Sequence, residues 1–121
     1  MCKVRGMGID LCGVARMAEL LGDDRFLSRW FTPEEAAYIR SRGASAAQSM
    51  AGIFAAKEAF AKAVGAGLAI PMREIGVGHT PAGQPVYQPT GKALDALDGG
   101  EALLSITHEG DMAAAVCLWQ K

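Results

Sequence analysis

What this chain of 121 residues has little of narrows the field first. Histidine occurs only as His79 and His108, and the three cysteines, Cys2, Cys12 and Cys117, form no CxxC pair. A structural zinc site, which takes four such ligands at paired spacing, is disfavoured by that inventory. Few and widely spaced cysteines also argue against a disulfide framework and fit free thiols in a reducing compartment. Charge is nearly balanced, with 12 Lys and Arg against 13 Asp and Glu, so the surplus that marks a nucleic-acid binder is missing. No apolar run approaches the roughly 20 residues of a membrane helix, and no basic–apolar–small leader pattern opens the sequence. Repeats, linkers and low-complexity tracts are absent, as are a Walker loop, GxSxG and HExxH. These absences leave one domain, 1–121, with a cytoplasmic location and neither nucleic-acid nor membrane partners as the expectation.

What is present is ordinary for a globular domain: 50% apolar residues and 21% charged ones. Nine of the 12 basic residues fall in residues 1–62, which permits a basic patch for an acidic partner. Val4 to Leu11 reads as a strand weakened by Gly6 and Gly8, where another backbone or a ligand can come close. A helix follows at about Val14–Leu21, then a short helix or turn over residues 23–31 rich in aromatic side chains. Thr32-Pro33-Glu34-Glu35 is a helix start with a capping box, and Ser45 with Gln48 suggests a second one. Beyond Gly65-Ala66-Gly67 the chain changes character. Glu74–Val77 and Pro85–Tyr87 read as short strands, Lys92–Leu97 as a helical turn, and Leu103–Thr107 with Met112–Leu118 as a hairpin. The order predicts an α+β fold, a small antiparallel sheet packed against a long central helix and shorter helices.

Met50 to Lys62, MAGIFAAKEAFAK, is that central helix. At about 100° per residue, Met50, Ile53, Phe54, Phe60, Ala61 and Val64 share a face, with Lys57 in its middle. An amine there is costly unless it is paired or reaches out to water. Glu58 and Lys62, one turn apart, have a plain reading as a solvated ion pair worth about 0.2–0.5 kcal/mol. Asp10 reads equally well as a turn or cap residue, and His108 as a solvated residue at a hairpin mouth. Gly83-Gln84-Pro85 passes for turn chemistry.

Order and spacing add what each signal lacks alone. Gly8-Ile9-Asp10, Arg25-Phe26, Phe31-Thr32-Pro33-Glu34-Glu35, FAAKEAFAK from Phe54 to Lys62, Gly83-Gln84-Pro85, Ser105-Ile106-Thr107-His108 and the Ala113-Ala114-Ala115 strand together resemble the holo-[acyl-carrier-protein] synthases. The resemblance spans nearly the whole chain. It implies a 4′-phosphopantetheinyl transferase that moves the phosphopantetheine arm of coenzyme A to a serine of an apo acyl carrier protein, releasing adenosine 3′,5′-bisphosphate. It also implies a homotrimer with sites between subunits and Mg2+ held by Asp10 and Glu58. By the same resemblance Lys62 contacts the diphosphate, and Lys57 braces Glu58 or touches phosphate. His108 binds a coenzyme A phosphate or carries the serine proton, while Gly83, Gln84, Pro85 and Ser105 contact the donor. The acidic carrier would dock at Arg16, Arg25 and Arg29. Hard-ion preference for carboxylates and electrostatic support of a leaving phosphate are chemically consistent with that set. Two positions depart from the family pattern: Ile53 and Gln84 stand where basic residues are usual. They motivate the alternative of an inactive relative that binds coenzyme A or serves as a structural subunit.

Overall fold

The computed structural model describes residues 1–65 and 69–121. A three-stranded antiparallel sheet is built from β1 (Val4–Gly13), β4 (Glu101–Glu109) and β5 (Met112–Gln120), in the order β1-β5-β4. Across its inner face lies α4 (Ala46–Val64), the longest helix. Before α4 come α1 (Val14–Leu20), α2 (Asp24–Trp30) and α3 (Pro33–Arg40). After it come a two-stranded ribbon, β2 (Ile75–His79) with β3 (Pro85–Pro89), and α5 (Gly91–Ala96). The expected α+β class and its long central helix are therefore what the chain forms.

Alternation in β1 sets the site's position. Gly6, Gly8, Asp10 and Cys12 turn toward α4, and Met7, Ile9 and Leu11 turn away, each 65% exposed. A Cβ at Gly6 or Gly8 would collide with the carbonyl oxygens of Ala63 and Ala59. Glycine at these positions lets β1 lie directly on α4, and Asp10 is the first side chain of that face able to project.

α4 is more enclosed than an amphipathic stripe suggests. Every residue from Met50 to Lys57 is buried, and Ala51, Ala55, Ala56 and Ala59 are fully so. Small residues such as Gly52, Ala59 and Ala63 let the sheet lie close on one side, while Phe54, Lys57 and Phe60 meet α2, α3 and the β2–β3 ribbon on the others, so the helix is enclosed on nearly every side. Its C-terminus follows the expected pattern: Gly65, at φ 70°, donates its N–H to the carbonyls of Ala61 and Lys62. Ala66 and Gly67, expected to help close it, lie outside the described residues. Its start differs. The Ser45 side chain makes no cap bond, because Gly43–Ser45 form a 3-10 turn that runs straight into the helix. Ser45 is thus not in the extended conformation that a capping box needs.

The Thr32 capping box does form, and it does more than end a helix. Glu35 accepts the Thr32 N–H at 2.8 Å and gives its own N–H to Thr32 Oγ1 at 3.1 Å. The same carboxylate accepts the Val77 N–H at 2.7 Å, which joins α3 to β2.

Candidate functional site

Two lysines of α4, five positions apart, meet opposite surroundings. Lys57 is fully buried; its Nζ lies 2.8 Å from Glu35 Oε1 and donates to the carbonyls of Met72 and Ile75 at 2.9 and 2.8 Å. All three donors of the ammonium are used. Burial pulls its pKa down, and the Glu35 carboxylate opposes that pull. The expectation that Lys57 touches phosphate or braces Glu58 is corrected here: the side chain points into the core beneath Phe31 and reaches neither. A long amine on a helix surrounded by apolar residues is stable only where a carboxylate is supplied, and α3 supplies it.

Lys62 faces water. Its Nζ bonds Asp10 Oδ1 and the Ile9 carbonyl, both at 3.0 Å. The partner is not Glu58, as the one-turn spacing suggests, because β1 brings Asp10 within reach of the same amine. Glu58 lies beside them, half-buried. Burial, and after it the Asp10 carboxylate, push the Glu58 carboxyl above its ordinary value; Lys62 and Arg16 oppose this incompletely. No side chain among the described residues hydrogen-bonds to Glu58. Buried Cys12 is close enough to feel Arg16, Asp10 and Glu58, though burial is the main cause of its raised pKa. Asp10, Glu58, Lys62 and Arg16 thus form one open cluster of two carboxylates and two cations. Among the described residues no group of three or more His, Cys, Asp and Glu side chains gathers as a metal cage.

His108 belongs elsewhere. Asp10 pairs with Ala115 and Ala115 with Ile106, so the carboxylate and His108 sit on opposite edge strands of the sheet. That is a separation of roughly 10 Å across the strands, with α4 packed over the middle. His108 lines a cavity of about 350 Å³ together with Tyr38, Arg42, Ser45, Ile53, Gly83 and Pro85. Gly83 and Pro85 line the same cavity as His108, whereas Gln84 is exposed beside them. Ser105 is not: it is exposed on the outer face of β4, one side of the sheet away from the imidazole.

Among the residues of this cavity that sequence reasoning missed are Tyr38, Arg42 and His79. His79 stacks on Tyr38 with ring centroids 4.0 Å apart, and the Arg42 guanidinium lies 5.6 Å above the Tyr38 ring. Burial, then Arg42, lower the His79 pKa. The signal available was the scarcity of histidine, since one of only two ends the strand that leads into the Gly83 turn.

The three arginines expected to meet a partner surround an aromatic cluster. Trp30 packs on Phe54 at 4.7 Å and on Phe26 at 5.8 Å, and Arg16 lies 5.3 Å over the Phe54 ring. Arg25 and Arg29 line a shallow depression with Phe26 and Trp30. Arg16 is the link between this surface and the carboxylates.

The model of the 4′-phosphopantetheinyl transferase superfamily matches residues 6–117. The holo-[acyl-carrier-protein] synthase of Treponema denticola is 44% identical over 95% of this chain and 97% of its own length. This chain belongs to the holo-[acyl-carrier-protein] synthases. It is accordingly an enzyme of the phosphopantetheinyl transferase class. Solved synthases share its fold. That of Neisseria meningitidis superposes with a TM-score of 0.83 at 35% identity, covering 96% of this chain and 98% of that one. That of Helicobacter pylori, solved in complex with coenzyme A, gives 0.80 at 27% identity, covering 92% and 96%. Ile53 is 1% exposed at the floor of the His108 cavity, so its side chain adds no charge there. Arg42 is the one permanently charged side chain lining that cavity among the described residues.

Proposed function

We propose that this synthase transfers 4′-phosphopantetheine from coenzyme A to a serine hydroxyl of an apo acyl carrier protein, in a magnesium-dependent reaction. The observation that carries the reading is the open cluster of Asp10, Glu58 and Lys62. Two carboxylates that oppose each other's charge suit a hard divalent cation, which usually takes one or two protein carboxylates and completes its shell with water and phosphate oxygens. Asp10 and Glu58 would hold that cation, and its chemistry there is to neutralise the diphosphate and its leaving oxygen. Lys62, more than half exposed and already drawn to an anion, turns to the diphosphate as a second positive charge.

The serine Oγ attacks the phosphorus next to the pantetheine. The bond from that phosphorus to the bridging oxygen breaks, and adenosine 3′,5′-bisphosphate leaves with the electron pair. The serine proton passes to a water at the cluster or to the Glu58 oxygen that the cation would leave free. His108, with Gly83 and Pro85 at its cavity, takes the nucleotide end of the donor as a phosphate contact.

A donor held at both ends draws on two copies of the chain. Asp10 and His108 occupy opposite edges of one sheet, and Met7, Ile9, Leu11 and Leu103 form an exposed apolar surface on its outer face. Covering that surface with like copies, as the homotrimer of the family resemblance does, places the cluster of one subunit beside the His108 cavity of the next. A monomer by light scattering at micromolar concentration contradicts this part of the proposal.

Incubation with coenzyme A, magnesium and an apo acyl carrier protein, followed by intact-mass measurement of the carrier, tests the activity. The expected result is a gain of one phosphopantetheine, abolished by a chelator and by Asp10→Ala. An unchanged carrier mass contradicts the proposal.

A further inference from the structure

Gly52 lies buried in the second turn of α4, where helix propensity favours almost any other residue. It is not needed for backbone freedom, since its φ is that of an ordinary helix. What its missing side chain allows is an approach. A Cβ built on Gly52 stands 3.0 Å from Ile106 Cγ2, 3.2 Å from His108 Nε2 and 3.8 Å from His108 Cε1. The edge of the His108 imidazole thus rests on the bare helix backbone, at the wall of the cavity that both residues line. His108 is otherwise exposed near the end of β4, and no hydrogen bond among the described residues fixes its ring. The flat seat at Gly52 is its support.

We infer that Gly52 is a positioning residue of this synthase: by lacking a side chain it sets the place of the His108 imidazole in the donor cavity, at the expense of helix propensity. The inference rests on His108 being a donor contact. A methyl group at position 52 pushes the imidazole outward by a few tenths of an ångström, which degrades a hydrogen bond to a phosphate oxygen without touching the carboxylate cluster. Because the ligand contact is to a charged group, the loss is read as a rise of about tenfold in the KM for coenzyme A. Turnover and the KM for the carrier protein stay close to those of the wild type.

A double-mutant cycle on the full-length enzyme separates positioning from simple filling of the cavity. Gly52→Ala, His108→Ala and the pair are compared for KM of coenzyme A, turnover and Tm. If Gly52 acts through His108, the single variants each raise KM and the pair is no worse than His108→Ala. Additive effects mean that the added methyl obstructs the donor itself, and overturn the inference. An unchanged KM in Gly52→Ala overturns it as well. If His108→Ala leaves KM unchanged, the donor role of His108 fails instead, and the resonances of the ring still report on the seat. With only two histidines, the His108 imidazole signals are those lost in His108→Ala. They shift in Gly52→Ala while those of His79 do not; unshifted His108 signals overturn the inference independently of activity. Should crowding against Ile106 lower the Tm, Gly52→Ala combined with Ile106→Ala removes that contact and leaves only the imidazole to be displaced. In that background too, an unshifted ring counts against the inference.

Discussion

Lys57 and Lys62 sit on one helix, each beside a carboxylate from another element, yet they do different things. The Lys57–Glu35 pair is 0% and 3% exposed, and its groups are satisfied by backbone partners from three directions. The Lys62–Asp10 pair is 54% and 16% exposed, and a second carboxylate waits beside it without a bond. A saturated pair has no valence left for a ligand and serves to join α3, α4 and β2. An unsaturated one holds charge that a cation and a diphosphate can claim. Saturation, rather than burial or charge alone, separates structure from chemistry here.

The largest effect is expected at the sealed pair. Lys57→Met leaves Glu35 buried without its counter-charge, and removing one partner of such a pair costs about 3–5 kcal/mol. Urea unfolding should show that loss, while folded enzyme at low temperature keeps most of its turnover. A stable Lys57→Met variant with lost turnover would move Lys57 into the site. Adding Glu35→Leu should recover part of the stability but not all, because the N–H groups of Thr32 and Val77 also lose their acceptor.

A smaller effect is expected on the basic surface. Arg25→Glu reverses a rim charge beside the exposed edges of Phe26 and Trp30. Rim charges act mainly on association rate and its salt dependence, so the KM for the carrier should rise roughly tenfold and that for coenzyme A should hold. Equal changes in both constants would place Arg25 away from the carrier.

The smallest effect concerns His79. Its folded-state pKa lies below the ordinary 6.5, chiefly through burial and then through Arg42. The unfolded chain therefore binds the proton more readily, and stability is lost as the pH falls from 6.5 toward the folded value. Comparing Tm at about pH 7.5 and about pH 5.5 should give a smaller drop for His79→Gln than for wild type. An identical drop would assign the acid sensitivity to other groups.

Much of this was legible in the sequence, for identifiable reasons. The Thr32 capping box, the Gly65 stop and the last hairpin depend on local spacing, and all three formed. Gly6 and Gly8 announced a close approach, and it is made by α4. The partner of Lys57 could not be read, because Glu35 is 22 residues away and its capping role already explained it. Nor could the partner of Lys62, which local periodicity assigned to Glu58 while a strand 52 positions earlier supplied Asp10. Ser105 and His108 are three residues apart in one strand, which places them on opposite faces; alternation in β4 states this, but motif spacing does not. Tyr38, Arg42 and His79 come together only when α3 and the ribbon pack side by side.

The open cluster is tested most directly by the turnover of Lys62→Met at saturating coenzyme A, magnesium and carrier protein. An exposed amine contributes little to stability, so the variant should melt close to the wild type. Its turnover should nonetheless fall by about 10²–10³, the usual cost of removing a preorganised charge from a developing anion. Near-wild-type turnover would reduce Lys62 and Asp10 to a surface ion pair and contradict the reading of the open cluster.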